Sequence, residues 1–202
     1  IVKTLIKLDL IDLENINIIA NSTRDNTNQN VYRCEKSKII FLDKNHTKDF
    51  YENISIEDYW GKLESDERDS ITNQDLDFRR NLIKGYILDR NYLDIGTGLG
   101  EILKYAREYT ENLFAVEPNN ESRTQLKNQG FKVFKNIDGI KEKKFDLITL
   151  FHVFEHLEEP LETLERIFNI TNYNGRLIIE VPHAKDALID VYKSNEFMKH
   201  TF

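Results

Sequence analysis

Cysteine, methionine, tryptophan and proline are scarce in this 202-residue chain: one, one, one and three residues respectively. A lone Cys34 excludes an internal disulfide and any metal cluster built from cysteines alone, and it fits a reducing compartment, the cytoplasm. Long apolar runs are missing as well. The longest, around Phe145 to Val153, is interrupted by Asp146 and His152, so none approaches the ~20 residues of a membrane span. The start, Ile1-Val2-Lys3-Thr4, has no basic segment leading into an apolar core, and no signal peptide is read there. It also lacks an initiator Met, so a trimmed or incompletely ordered product is expected. Clustered positive charge is the last absence. Lys and Arg number 28 against 35 Asp and Glu, a net charge of −7, with the basic residues scattered among acids. That argues against a nucleic-acid partner, which needs grouped Lys and Arg to meet phosphates.

What is present describes a folded chain. Hydrophobic residues make up 40% and charged residues 31%, the balance of a soluble globular protein. The length suffices for one domain and a small appendage. No internal repeat or low-complexity segment interrupts it, and the sequence carries no signal for an oligomeric state.

Residues 1–50 read as a small β-rich appendage, with strands at 16–20 and 39–42 and a polar loop over 21–30. Residues 51–88 read as a helical linker or lid. It holds a short helix over 55–63 carrying Tyr59 and Trp60, and a longer one starting at an N-cap Ser70, with apolar residues at Ile71, Leu76, Phe78, Leu82, Ile83 and Tyr86. From 89 to 202 strand and helix alternate. Strands are expected at 92–95, 113–116, 131–134, 145–151 and 177–181, and helices at 99–109, 120–129 and from Pro160 to about Phe168. Gly130 stops the second helix, Pro160 opens the third, and Asn174-Gly175 makes a turn. The succession implies a Rossmann-like α/β fold, a doubly wound, mostly parallel sheet with helices on both faces. The tail, 184–202, reads as a helix.

Of only eight glycines, three fall within five residues, in Tyr92-Leu93-Asp94-Ile95-Gly96-Thr97-Gly98-Leu99-Gly100. Glycine lets the backbone turn sharply and approach a ligand closely, and a helix starting there turns free N–H groups toward the same spot. A dinucleotide cradle spaces its glycines G-x-G-x-x-G. Here Gly100 follows Gly98 by two positions, and Asp94 would oppose a diphosphate. Glu117, in Val116-Glu117-Pro118, ends the next strand, where an acid accepts both hydroxyls of a ribose. That feature serves nicotinamide and S-adenosylmethionine sites alike.

With Phe145-Asp146-Leu147-Ile148-Thr149-Leu150 and Gly175-Arg176-Leu177-Ile178-Ile179-Glu180-Val181-Pro182 added, four motifs stand in the order found in class I S-adenosylmethionine-dependent methyltransferases, which the chain resembles over roughly residues 75–190. The resemblance implies S-adenosyl-L-methionine as cofactor. It implies that Asp94, Gly96 and Gly98 hold the methionine moiety, that Glu117 holds the ribose, that Asn136, Ile137 and Asp138 lie near the adenine with Ile137 an apolar contact, and that Thr97, Pro118 and Phe151 also bind the cofactor. Other readings are an NAD(P)-dependent oxidoreductase and a binding module without catalysis. Such methyltransferases finish with an antiparallel strand pair that nothing after Val181 supplies, so the chain is expected to continue past Phe202.

After the fourth core strand comes Phe151-His152-Val153-Phe154-Glu155-His156-Leu157-Glu158-Glu159-Pro160. It resembles the HVxEH stretch of a branch that modifies small molecules, quinones and sugars, implying a small-molecule or sugar acceptor, including a polysaccharide precursor. His152 is the candidate catalytic residue, as base or substrate ligand; the alternative is a ring packed beside the cofactor. The H-x-x-E-H spacing also reads as a metal site or an inverted zincin helix, and Glu155 with His156 as a pair that shapes the loop. His183 is a second crevice candidate or a loop cap. Cys34-Glu35-Lys36-Ser37 resembles a zinc knuckle whose second Cys is Ser37, so a metal-free hairpin is expected. Tyr51, Tyr59 and Trp60 are read as a lid over the substrate cleft, or as packing for the appendage.

Overall fold

The computed structural model describes residues 2–23, 28–43, 48–56, 65–141, 143–183 and 191–192. The chain divides into two compact units, one of Ile1–His46 with Val181–Phe202 and one of Thr47–Glu180.

In the first unit, helix α1 (Val2–Lys7) precedes three antiparallel strands in the order β1 (Ile16–Ala20), β2 (Val31–Cys34), β3 (Ile40–Leu42). The two expected strands are both there, and β2 completes a hairpin with β3. Helix α1 was not legible because it is six residues long; Val2 and Leu5, one turn apart, pack on the core of Ile11, Cys34 and Phe41. Hydrogen bonds from Ser37, and from the backbone of Ser37, Asp12 and Lys36, pull the Cys34 thiol down to about 7.

The second unit opens with α2 (Lys48–Asn53) and α3 (Ser65–Lys84). Most of the short helix expected over 55–63, with Tyr59 and Trp60, lies outside the described residues, as does the tail helix apart from residues 191 and 192. Ser70 is not an N-cap: α3 begins five residues earlier, and the sequence Ser65-Asp66-Glu67-Arg68-Asp69 contains no glycine or proline to stop it. There follow β4 (Tyr92–Ile95), α4 (Glu101–Ala106), β5 (Leu113–Val116), α5 (Asn120–Asn128), β6 (Lys132–Phe134), β7 (Phe145–Phe151), α6 (Pro160–Ile170) and β8 (Thr171–Glu180). Helix α4 starts two residues later than the expected 99–109, because left-handed Gly100 (φ +78°) stands immediately before it, and ends at Ala106, with turns over 107–109.

All five strands are parallel, in the order β6-β5-β4-β7-β8. Alternate residues of the strands face two separate cores. Tyr92, Leu113, Ala115 and Leu147 meet α3, α4 and α5 through Ile83, Leu103 and Leu126. Leu93, Phe114, Val116, Ile148 and Leu150 meet α6 through Ile167. This is the doubly wound sheet the sequence implies. The Asn174-Gly175 turn is absorbed into β8 as an irregularity: Phe145 pairs with Thr171 but Leu147 with Arg176, so three extra residues bulge out. The chain leaves β4 toward β5 and β6 and returns to β7 on the other side of β4. The carboxyl ends of β4 and β7 are therefore the topological switch point, where open α/β sheets bind ligands. Among the described residues no helix is long and apolar enough to cross a membrane.

Candidate functional site

Strand β4 runs into Gly96, Gly98 and Gly100, all left-handed at φ +72°, +57° and +78°. The Gly96 N–H donates to Val116 O at 2.7 Å, drawing the turn across the end of β5. A Cβ on Gly96 would stand 2.3 Å from Val153 Cγ2. Its missing side chain thus serves contact with the loop after β7 as well as the turn.

Two carboxylates flank this turn. Asp94 lies beside Thr149 in the β4–β7 register, and the Thr149 hydroxyl donates to Asp94 Oδ1 at 2.5 Å. Tyr92, on the same face, stands 2.8 Å from Thr149 Oγ1. With the Thr149 proton given to Asp94, Tyr92 donates to Thr149. Asp94 is 3% exposed. Burial raises its carboxyl to about 6, against the opposing pull of Thr149, Thr97 and the Arg79 charge. The Thr97 hydroxyl is buried without a hydrogen bond of ordinary geometry.

Glu117 follows β5 and is 6% exposed. Its Oε2 accepts the Gly98 N–H at 2.7 Å and its Oε1 the Asn119 N–H at 2.8 Å. Burial, with some help from the charge of Asp94, raises it to about 7, while those two N–H groups and Arg123 oppose the rise. Arg123 donates to the carbonyls of Glu117 and Pro118 at 2.8 and 2.7 Å, fixing the loop from α5. Asn119 caps α5 by accepting from Glu121 and Ser122 N–H. Its amide also donates to Tyr51 O and Ile54 O, at 3.2 and 2.8 Å. Lys135, after β6, pairs with Glu52 at 2.9 Å, and the Tyr51 hydroxyl lies 3.1 Å from His156 Nδ1. Segment 48–56 is thereby tied to the ends of β5, β6 and β7.

Beyond β7, His152 adopts φ +54°, a left-handed conformation uncommon outside glycine. Its side chain is 45% exposed, with Nε2 3.0 Å from Glu180 Oε1 and Nδ1 3.4 Å from Glu155 Oε1. The hydrogen bond with Glu155 and the charges of Glu155 and Glu180 raise the imidazole above its usual range, against burial and Arg79. Glu155 Oε2 is buried without a partner. Residues 154–156 form a single 3-10 turn, too short for a zincin helix. Among the described residues no group of three or more His, Cys, Asp or Glu is placed to hold a metal ion.

The sequence pattern of the family described as "Methyltransferase domain" matches residues 42–201. The chain belongs to the methyltransferase domain family. No curated protein matches it. Solved structures similar to it include a SAM-dependent methyltransferase from Archaeoglobus fulgidus (24% identity, TM-score 0.48, covering 60% of this chain and 59% of that one). Coclaurine N-methyltransferase bound to N-methylheliamine and SAH gives 22%, 0.48, 59% and 39%. An S-adenosylmethionine-dependent methyltransferase from Clostridium acetobutylicum gives 18%, 0.46, 58% and 55%. This methyltransferase domain therefore spans less than two thirds of each of those chains.

The methyltransferase domain gathers Asp94, Gly96, Thr97, Gly98, Glu117, Pro118, Phe151 and His152 at neighbouring strand ends. The stretch after β6 is differently engaged. Asn136 uses its side chain to cap the turn at Gly139, Ile137 packs into the core on the α6 face, and exposed Asp138 pairs with Arg166 at 3.2 Å. His183 is exposed and belongs to the other unit. Sequence reasoning missed Thr149, Asn119, Arg123, Arg79 and Glu180. Thr149 had a signal, as the lone hydroxyl in an otherwise apolar half-strand, and Asn119 another, as an N-cap residue before Asn120. Arg79 and Glu180 had none.

Proposed function

We propose that the chain binds S-adenosylmethionine and serves a methyltransferase acting on a small molecule, such as a sugar or polysaccharide precursor. The pair of buried carboxylates around a left-handed glycine turn carries this reading. An ionised carboxylate offers about four acceptor positions. Gly98 and Asn119 use two of Glu117's, which leaves two for vicinal hydroxyls. When ionised, the two buried carboxylates disfavour a diphosphate and favour a cation. A nucleoside carrying a sulfonium and an ammonium meets both demands, so these residues fit the group.

When bound, S-adenosylmethionine supplies a methyl already activated on sulfur. The chain's part is positioning and proton handling. Glu117 accepts ribose hydroxyls, Asp94 faces the cationic amino-acid portion, and His152 at the end of β7 takes the proton of an acceptor hydroxyl. Residues 51–88 are read as a helical linker or lid, which the ties of Tyr51, Glu52 and Ile54 to His156, Lys135 and Asn119 support for its first residues, with residues 1–50 an appendage and 89–202 the core. The resemblance of the His152–Pro160 stretch supports a small acceptor, the acidic charge disfavours nucleic acid, and free, buried Cys34 supports a cytoplasmic location.

Calorimetry with S-adenosylhomocysteine tests the cofactor reading: a folded sample that shows no heat of binding ends it. Glu117→Ala should weaken that binding about tenfold, the lower end for a hydrogen bond to a charged group; unchanged affinity removes Glu117 from the site. If His152 is the base, turnover climbs with pH through one ionisation above the ordinary His value of about 6.5, because only the neutral ring takes a proton. A profile without that step excludes the base role.

A further inference from the structure

We infer that Arg79 and Glu180 form a positioning pair for His152: Glu180 orients the ring, and Arg79 offsets enough of that carboxylate's charge for the ring to give up its proton. The inference rests on the reading of His152 as the base.

Glu180, the last residue of β8, holds His152 at two points. Its carbonyl accepts the His152 backbone N–H at 3.0 Å, and its Oε1 stands 3.0 Å from Nε2. The same Oε1 accepts from Arg79 of α3, at 3.0 Å from Nε and also from Nη2. The Arg79 guanidinium further lies 5.1 Å from the centre of the Phe151 ring, immediately before His152. One carboxylate oxygen is therefore shared between a permanent cation and an imidazole. Side chains of Arg79 and Glu180 are only 20% and 24% exposed, so solvent screens the pair incompletely.

The charged groups facing His152 are Glu155 from the turn after β7, Glu180 from β8 and Arg79 from α3. With both ring nitrogens toward carboxylates, an unopposed pair of acids would keep the ring an imidazolium, which has no lone pair for catalysis. Arg79 acts against that. Glu180 then fixes the proton on Nε2 of the neutral ring, and Nδ1 becomes the basic nitrogen once the 3.4 Å contact to Glu155 opens.

The test is the titration of His152 by histidine-selective NMR in the whole chain, with its signal assigned from its loss in His152→Ala, alongside the pH dependence of turnover. Arg79→Gln should raise the ring's midpoint by about half a unit to one unit, and Glu180→Gln should lower it by a similar amount. Arg79→Lys, which keeps the charge, should restore a midpoint close to the parent's. A structural role alone does not move the midpoint in opposite directions. Unshifted midpoints in both Gln variants, in folded samples, overturn the pair whatever the activity. Midpoints that move while the turnover profile stays fixed overturn the pair's part in turnover and His152 as the base, and leave the cofactor reading standing.

Discussion

Affinity for S-adenosylhomocysteine is expected to rise about a hundredfold between about pH 5.5 and pH 8. The two carboxylates at the switch point are raised by burial, Asp94 to about 6 and Glu117 to about 7. The ligand is expected to bind with both ionised, since protonation strips each of its charge and of part of its acceptor capacity. With those values, fewer than roughly one molecule in a hundred has both ionised at pH 5.5, and most do at pH 8. Binding therefore releases protons at intermediate pH, and the heat measured near pH 6.5 should differ between buffers of different ionisation enthalpy. The sign for the free protein is opposite. A carboxyl raised above its unfolded value stabilises the fold below that unfolded value and loses the contribution as pH climbs through the raised one. For these two groups the loss runs from about pH 4 to pH 7, so the melting-temperature gain on adding ligand should widen over the same range. S-adenosylhomocysteine suits the measurement because its sulfur is neutral, so the charge on His152 has no sulfonium to repel. Glu117→Gln should flatten the upper part of the curve. An affinity that stays level across this range would show that neither carboxylate titrates against the ligand.

The parts of the site legible in the sequence are those whose chemistry is local. Left-handed glycines, an acid ending a short apolar strand and a mostly apolar seven-residue stretch each announce themselves within a few residues, and β4, β5 and β7 come out at the expected positions. The partners of those residues were not legible, because they are set by register and packing. Thr149 reaches Asp94 across 55 residues, Arg79 reaches Glu180 across 101, and Tyr51 reaches His156 across 105. Only the pairing of β4 with β7 places Asp94 beside Thr149, and only the docking of α3 on the sheet brings a guanidinium to the end of β8. The adenine-side expectation at Asn136 to Asp138 came from the family resemblance and from their place after β6. All three side chains have partners within the fold, in a cap, a core contact and an ion pair. The role of Gly96 was legible in kind but not in cause. Its conformation is what a tight turn needs, yet the space its Cβ would take belongs to Val153, 57 residues away in the chain.

That contact makes Gly96→Ala the substitution with the largest expected effect on stability. Two costs combine. At φ +72° an L-residue pays about 1–2 kcal/mol for crowding its Cβ against the backbone. The new methyl would also sit 2.3 Å from Val153 Cγ2, well inside contact, and a β-branched neighbour has few rotamers into which to retreat. Overpacking of this kind costs about 1–3 kcal/mol. A total of about 3 kcal/mol corresponds to a melting temperature lower by about 6–12 °C for a domain of this size. The two costs separate in a double-mutant cycle. Val153→Ala alone loses packing against the α6-side core, where Val153 is partly buried. Combined with Gly96→Ala it should recover the overpacking share, so the double variant is more stable than the sum of the single losses by about 1–2 kcal/mol. The backbone share stays, since it does not depend on Val153. Strict additivity in the cycle would mean that Val153 moves aside without cost and that only the turn requires glycine. Non-additivity of the expected sign would show that the glycine turn after β4 and the loop bearing His152 are packed as one body. The carboxylates and the candidate base would then be held at fixed separation before any ligand arrives.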